Sequence, residues 1–296
     1  MKGETYMSKV LLMTDSASDI TREDEEKYGI KVVNFKLAVG DKSYTARVDF
    51  DNNGLYEILD SYDGIPSTSQ ITSFEFYDLY KQAYEDGYTD VIYVSINSKG
   101  SATYNNSVLA KEDLYEKHPE IKEKLTIYNI DGRSYTGAYG YPVIQGAIKA
   151  QKGASAEEIV AFINDWIENC VIFFGMYSLK YAKKSGRIPA AAAFVGEVMG
   201  LRPVSRIQHN QITTESKVRG DKALIPKILE LTKNEMIPQT PYCVVYGNDT
   251  DVRDEMEAAM TRNIGYPPAY YFQIGAEVSV NSGPKVVGVI FKSQKK

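Results

Sequence analysis

Two clusters of short hydroxyl residues carry the chemistry most open to this 296-residue chain. One is the loop holding Ser95, Asn97, Ser98, Ser101 and Thr103, which follows the apolar run Val91 to Val94 and enters a helical pattern. The other is Ser67-Thr68-Ser69-Gln70, just ahead of a second helical pattern. Hydroxyls and unpaired backbone N–H groups at a helix start, aided by the helix dipole, hold an anion. Taken singly, each cluster caps a helix. Taken as a pair on one sheet edge, they make a clasp for a small anionic head group, because ligands of open α/β sheets sit outside the carboxyl ends of the strands.

Other chemistries find little support. No GxxxxGK[ST] is present, and Gly132, Gly137 and Gly140 follow a strand without GxGxxG spacing, so they read as a strand-to-helix turn. The two histidines, His118 and His209, are far apart, and no HExxH, CxxC or Cys/His cluster suggests a metal. There is no GxSxG elbow for a nucleophile. Cys170 falls on the apolar face of a helix and reads as core. Asp15 and Asp19 flank a turn and read as helix caps. What is left is binding rather than catalysis.

The elements that must position these residues follow from periodicity. Lys9–Thr14, Lys31–Phe35, Val91–Val94 and Leu125–Ile130 are short apolar runs that read as buried strands. Leu37 to Phe50 alternates around Val39-Gly40-Asp41 and reads as a hairpin. Thr72 with Glu75, and Ser155 with Glu158, are capping boxes that open helices. Strand, loop and helix alternate to about Cys170, which predicts a parallel sheet with helices on both faces. Beyond it, strands are expected at Val171–Tyr177, Val204–Gln211, Ile212–Lys217, Tyr242–Tyr246, Tyr270–Ile274 and Val286–Phe291, with an alanine-rich helix at Ala190–Leu201. The expected organisation is two α/β domains, residues 7–170 and 171–296, the first with a Rossmann-like, mostly parallel sheet.

Composition narrows the partners. Lys and Arg number 34 against 39 Asp and Glu, a formal charge of -5 with no basic stripe, so a nucleic-acid partner is not expected. No run approaches the length of a membrane span, and stable membrane insertion is not expected. The first residues lack the pattern of a signal peptide, and two cysteines are too few for a disulfide framework. The expected location is the cytoplasm.

Several short motifs then coincide in order. TDSASDI (Thr14–Ile20), TSQ (Thr68–Gln70), SKGSATY (Ser98–Tyr104), LKYAKKSGRI (Leu179–Ile188), Arg202-Pro203, KVRGDKA (Lys217–Ala223) and SGPKVVGVIF (Ser282–Phe291) together resemble the DegV family of bacterial fatty-acid-binding proteins. The resemblance implies two α/β domains with one long-chain fatty acid, such as palmitate, stearate or oleate, in a tunnel between them. It implies a carrier and not an enzyme, with no cofactor beyond the bound fatty acid. It also implies a separate fatty acid kinase as partner, to which the carboxylate is presented for phospholipid synthesis. Carried over by position, Thr68 and either Ser98 or Ser101 hold the carboxylate, Asn281 and Ser282 lie in the head-group turn, and Arg219 matches a basic residue tied to phosphoryl handling. Asn281 stands where the family has a histidine. An amide still hydrogen-bonds a head group but carries neither its proton nor a positive charge. Gly100, Ala102, Ala138, Ala182, Ser185 and Lys285 also depart from the family pattern. The rival reading is an enzyme or phosphotransfer component with a small anionic substrate, which requires a short polar pocket in place of an apolar tunnel.

Overall fold

A computed structural model of the chain describes residues 9–64, 66–188 and 200–294. The first part holds β1 (Val10–Asp15), α1 (Arg22–Tyr28), β2 (Lys31–Val33), β3 (Lys36–Val39), β4 (Lys42–Thr45), α2 (Asn52–Ser61), β5 (Ser67–Ser69) and α3 (Ser73–Glu85). It continues with β6 (Asp90–Ser95), α4 (Thr103–Lys117), α5 (Pro119–Lys122), β7 (Thr126–Asp131), α6 (Gly137–Gln151) and α7 (Ala156–Asn169). The second part holds β8 (Cys170–Met176), α8 (Lys180–Ser185), β9 (Leu201–Gln208), β10 (Gln211–Arg219), α9 (Leu224–Glu235) and β11 (Tyr242–Tyr246). It ends with α10 (Thr250–Ile264), β12 (Tyr270–Gln273), α11 (Ala276–Ser282) and β13 (Val286–Lys292).

Strands β2-β1-β6-β7 form a wholly parallel sheet. Its central strands are near-continuous buried runs, as strands covered on both faces must be. The second sheet, β10-β9-β8-β13-β11-β12, is mixed: only β11 and β12 run parallel. All strands of the parallel sheet precede Cys170, and all strands of the mixed sheet lie at or beyond it. A small antiparallel sheet, β4-β3-β5, completes the set. The expected hairpin is β3–β4, with Gly40 at φ 59° in its turn. The cluster Ser67–Ser69, read as a hydroxyl group capping the next helix, is strand β5, with Thr68 opposite Leu37, and Thr72 caps α3. Helix α11 was also not anticipated. Of the alanine-rich stretch, residues 190–199 lie outside the described residues, and Leu201 opens β9 instead of closing a helix.

The period-2 alternation of β8 decides which side of the mixed sheet meets the rest of the molecule. Ile172 and Phe174 face a core shared with Leu12, Ile144 and Ile163 of the first part, while Val171 and Phe173 join Leu224, Ile228 and Met256 on the far side. Both capping boxes form as expected, at Thr72–Glu75 and Ser155–Glu158. Helix α6 contains Pro142, which removes the N–H that would bond the carbonyl of Ala138. The indole of Trp166 donates to that carbonyl at 2.9 Å and restores the balance.

Candidate ligand cavity

A small, partly open cavity of about 60 Å³ lies where the inner face of the mixed sheet meets the turn before α6 and helix α11. Ile172, Phe174, Ile188, Ile207, Ile212, Val245, Ile274, Val278 and Val286 supply an apolar wall. The polar residues on it are Tyr135, Thr136, Arg187, Glu277, Asn281 and Ser282.

Thr136 is the most unusual of these. It is 3% exposed, and its hydroxyl has no hydrogen-bond partner. It stands at the N-cap of α6 yet makes no capping bond, because its backbone is held at φ 52°, ψ -146°. Positive φ is rare for a β-branched residue and is retained only where the surroundings impose it. Its N–H donates to the Ala17 carbonyl at 3.0 Å, which ties the turn to the loop after β1. Its hydroxyl is turned toward Asp19 and draws that carboxyl's pKa down.

Behind this wall is a group of buried carboxylates. Asp15 accepts from Tyr139 Oη (2.6 Å), Tyr93 Oη (3.1 Å), Ile96 N (2.8 Å) and Ala17 N (3.2 Å). Burial outweighs these donors and pushes its pKa up to about 6. Asp19 Oδ1 accepts from Gly275 N at 2.8 Å, and burial, reinforced by the charge of Glu277, raises its pKa well above the carboxylate range. Glu277 accepts a short hydrogen bond from Ser16 Oγ. Burial and the charge of Asp15 lift Glu277 to about 7, against the pull of Ser16 and Arg47. Glu277 also borders an open polar cleft that Asp19, Arg47 and Asn52 line, and so forms a partition between the two spaces. Arg47 itself is engaged by Glu25 at 2.8 Å.

The expected site residues fall into three places. Asn281 and Ser282 lie on the cavity wall. The Asn281 amide donates to the Glu277 carbonyl at 2.7 Å, and Ser282 Oγ bonds the Val278 and Gly283 carbonyls at 3.0 Å each. Thr68 is half-buried on β5, the strand against which α11 packs. Ser98 and Ser101 are engaged elsewhere. Ser98 Oγ donates to Asp131 at 2.5 Å, and Asn210, at the tip of the β9–β10 hairpin, donates to Asn97 (3.0 Å), Ser98 (3.2 Å) and Asp131 (2.9 Å). Ser101 Oγ pairs with Thr103 Oγ1 at 2.9 Å, at the start of α4. This loop therefore joins the parallel sheet to the mixed one, and it backs onto the cavity through Gly100, where a Cβ would come within 2.5 Å of Tyr135 Oη. Arg219 is exposed at the end of β10, seven residues from the cavity-lining Ile212, or roughly 23 Å along an extended strand.

The family model described as "Uncharacterised protein, DegV family COG1307" matches residues 9–294. The chain belongs to the DegV family. A DegV domain-containing protein of Clostridium perfringens (strain 13 / Type A) is 31% identical over 291 residues, spanning 95% of this chain and 98% of the relative. Among solved structures, a stearic-acid-binding protein from Eubacterium ventriosum ATCC 27560 superposes with a TM-score of 0.85 at 23% identity, covering 97% of this chain and 98% of that one. A Thermotoga maritima protein whose structure revealed a fatty acid binding function gives a TM-score of 0.82 at 22% identity, covering 97% and 99%. These likenesses establish the two-sheet DegV fold for this chain. Within that fold, motif reading reached Asn281 and Ser282 but missed Thr136, Tyr135, Arg187 and Glu277. Thr136 sat in a glycine-spaced turn read only as a connection, and Glu277 is flanked by small and apolar residues with no motif to mark it.

Proposed function

We propose that this DegV family protein binds one long-chain fatty acid non-covalently, such as palmitate, stearate or oleate, and carries it as a non-enzymatic binding protein. The observation that carries this reading is the apolar wall on the inner face of the mixed sheet. Nine aliphatic and aromatic side chains line the space, bordered by polar residues of the α6 turn and α11. A chain of about fifteen methylenes at about 0.8 kcal/mol each yields on the order of 12 kcal/mol on leaving water. The cavity supplies affinity, and the polar groups keep the buried head from being left unpaired. The fatty-acid ligands named for two proteins of the same fold support the same reading.

In this proposal, residues 7–170 and 171–296 are the two domains, and the fatty acid lies between them. Asn281, Ser282 and Thr68 serve the head group, with Ser98 and Ser101 in support through the loop behind Tyr135. Arg219 faces a partner, and that partner is a fatty acid kinase that receives the presented carboxylate. The protein acts in the cytoplasm; among the described residues no helix is long and apolar enough to cross a membrane. The rival reading, a small anionic substrate, requires a polar pocket, and the wall of this cavity is dominated by aliphatic side chains. Titration of delipidated protein with palmitate tests the proposal. Saturable binding of one palmitate per chain is expected; the absence of binding to palmitate, stearate and oleate would overturn it.

A further inference from the structure

We propose that the polar cleft bordered by Glu277 binds the primary ammonium group of a small molecule, received by Asp19 Oδ1, Glu277 Oε2 and Asn52 Oδ1. The cleft holds about 700 Å³, a volume that suits a small organic ligand. The three oxygens converge at Gly275, which also lines it. A Cβ placed on Gly275 would stand 3.0 Å from Asp19 Oδ1, 3.6 Å from Glu277 Oε2 and 3.8 Å from Asn52 Oδ1. Gly275 has φ -86° and ψ -161°, which any residue adopts, so its backbone does not call for glycine. The missing side chain leaves a space faced by three acceptors. One of them is unmet and buried. Glu277 is 5% exposed; its Oε1 takes the Ser16 hydroxyl, and among the described residues Oε2 accepts no hydrogen bond from any other residue. The Asn52 amide is oriented by Gln273: its Nδ2 donates to the Gln273 carbonyl at 3.4 Å and to Oε1 at 3.3 Å, which leaves Oδ1 facing Gly275.

An ammonium carries three N–H donors and no acceptor, which matches three converging oxygens. It also brings the charge the place lacks. Among the described residues neither Asp19 nor Glu277 has an ion-pair partner. Arg47, a cation lining the same cleft, is held by Glu25 at 2.8 Å and Asn34 at 3.3 Å. Buried carboxylates without a paired cation are costly, and burial raises the pKa of both acids. A metal ion suits the place less well. Calcium and magnesium draw oxygens to about 2.0–2.6 Å, and no group of three His, Cys, Asp or Glu able to hold a metal occurs among the described residues.

Calorimetric titration of the full-length protein with propylammonium tests this, beside tetramethylammonium, which has the charge but no N–H, and beside calcium. Saturable binding of one propylammonium per chain is expected, at least about tenfold tighter than tetramethylammonium. Three variants probe the place, with melting temperature as the check on folding. Gly275→Ala fills the space with a methyl group; Glu277→Gln keeps the shape and removes a charge; Asn52→Ala removes an acceptor. Expected is about a tenfold loss of propylammonium affinity in Gly275→Ala and Glu277→Gln, and about a threefold loss in Asn52→Ala. Should Gly275→Ala not fold, Glu277→Gln and Asn52→Ala still decide the matter. The proposal would be overturned by the absence of saturable propylammonium binding, or by equal affinity for tetramethylammonium. Affinity within about twofold of the parent in every folded variant would also overturn it. So would displacement of propylammonium by equimolar calcium, which would assign the place to a metal ion.

Discussion

Asp15, Asp19 and Glu277 put three largely buried carboxyls within a few residues of one turn and one helix start. For two of them the sign of the pH effect is fixed by their values. Asp15 rises from 3.8 to about 6 and Glu277 from 4.5 to about 7, so the folded state holds protons more tightly than the unfolded chain. Their contribution to stability is fully present below about pH 4 and is lost as pH rises through about 6 to 7, at up to about 1.4 kcal/mol per unit for each group. Glu277→Gln should therefore flatten the fall in stability between about pH 4.5 and about pH 7, measured by urea denaturation across that window. A variant as steeply pH-dependent as the parent would contradict this. Asp15 was legible in the sequence as a cap, and it does accept the Ala17 N–H. Its role as the acceptor of two tyrosines was not, because Tyr93 and Tyr139 are 78 and 124 residues away and only the folded sheet brings them together.

Among the elements, α6 matters most to the cavity, because its first turn supplies Tyr135 and Thr136. Its helical pattern, the capping boxes of α3 and α7, and the strands of both sheets were readable from periodicity. The device that keeps α6 intact was not, since the carbonyl freed by Pro142 is satisfied from another helix. Trp166→Phe keeps an aromatic ring and deletes the donor. It should cost about 1–3 kcal/mol in chemical denaturation by leaving the Ala138 carbonyl buried and unpaired. A loss below about 0.5 kcal/mol would show that α6 does not depend on it. Helix α11 escaped notice because AEVSVNS is seven residues with β-branched members, too short for a helical period to register. Strand β5 escaped because serine and threonine signal a cap or turn more readily than a strand, and its pairing with β3 is set by the hairpin beside it.

For the whole molecule, the succession of strand, loop and helix to about Cys170 and the strands beyond it announced two α/β parts, and the ordered motifs announced the family. The position of the cavity was not readable, because its wall draws on residues from Tyr135 to Val286 that meet only through the packing of the two sheets. Nor was the structural role of the Ser98 loop readable. Its hydroxyls suit an anion, but the β9–β10 hairpin carries Asn210 to them and the folded chain uses them to join the two sheets. If the space between the sheets holds the acyl chain, a bulky residue placed there should exclude it. Ile212→Trp, at a half-buried position on β10, should lower palmitate affinity by more than about tenfold in a binding titration, with the melting temperature within a few degrees of the parent. Undiminished affinity would place the ligand elsewhere. The most direct measurement is organic extraction and mass spectrometry of the protein purified without added lipid, followed by native mass spectrometry after delipidation and reloading with palmitate. Recovery of long-chain fatty acid and reloading to one per chain are expected. No fatty acid in the extract, together with no mass shift on reloading, would contradict the central claim that this chain is a fatty-acid carrier.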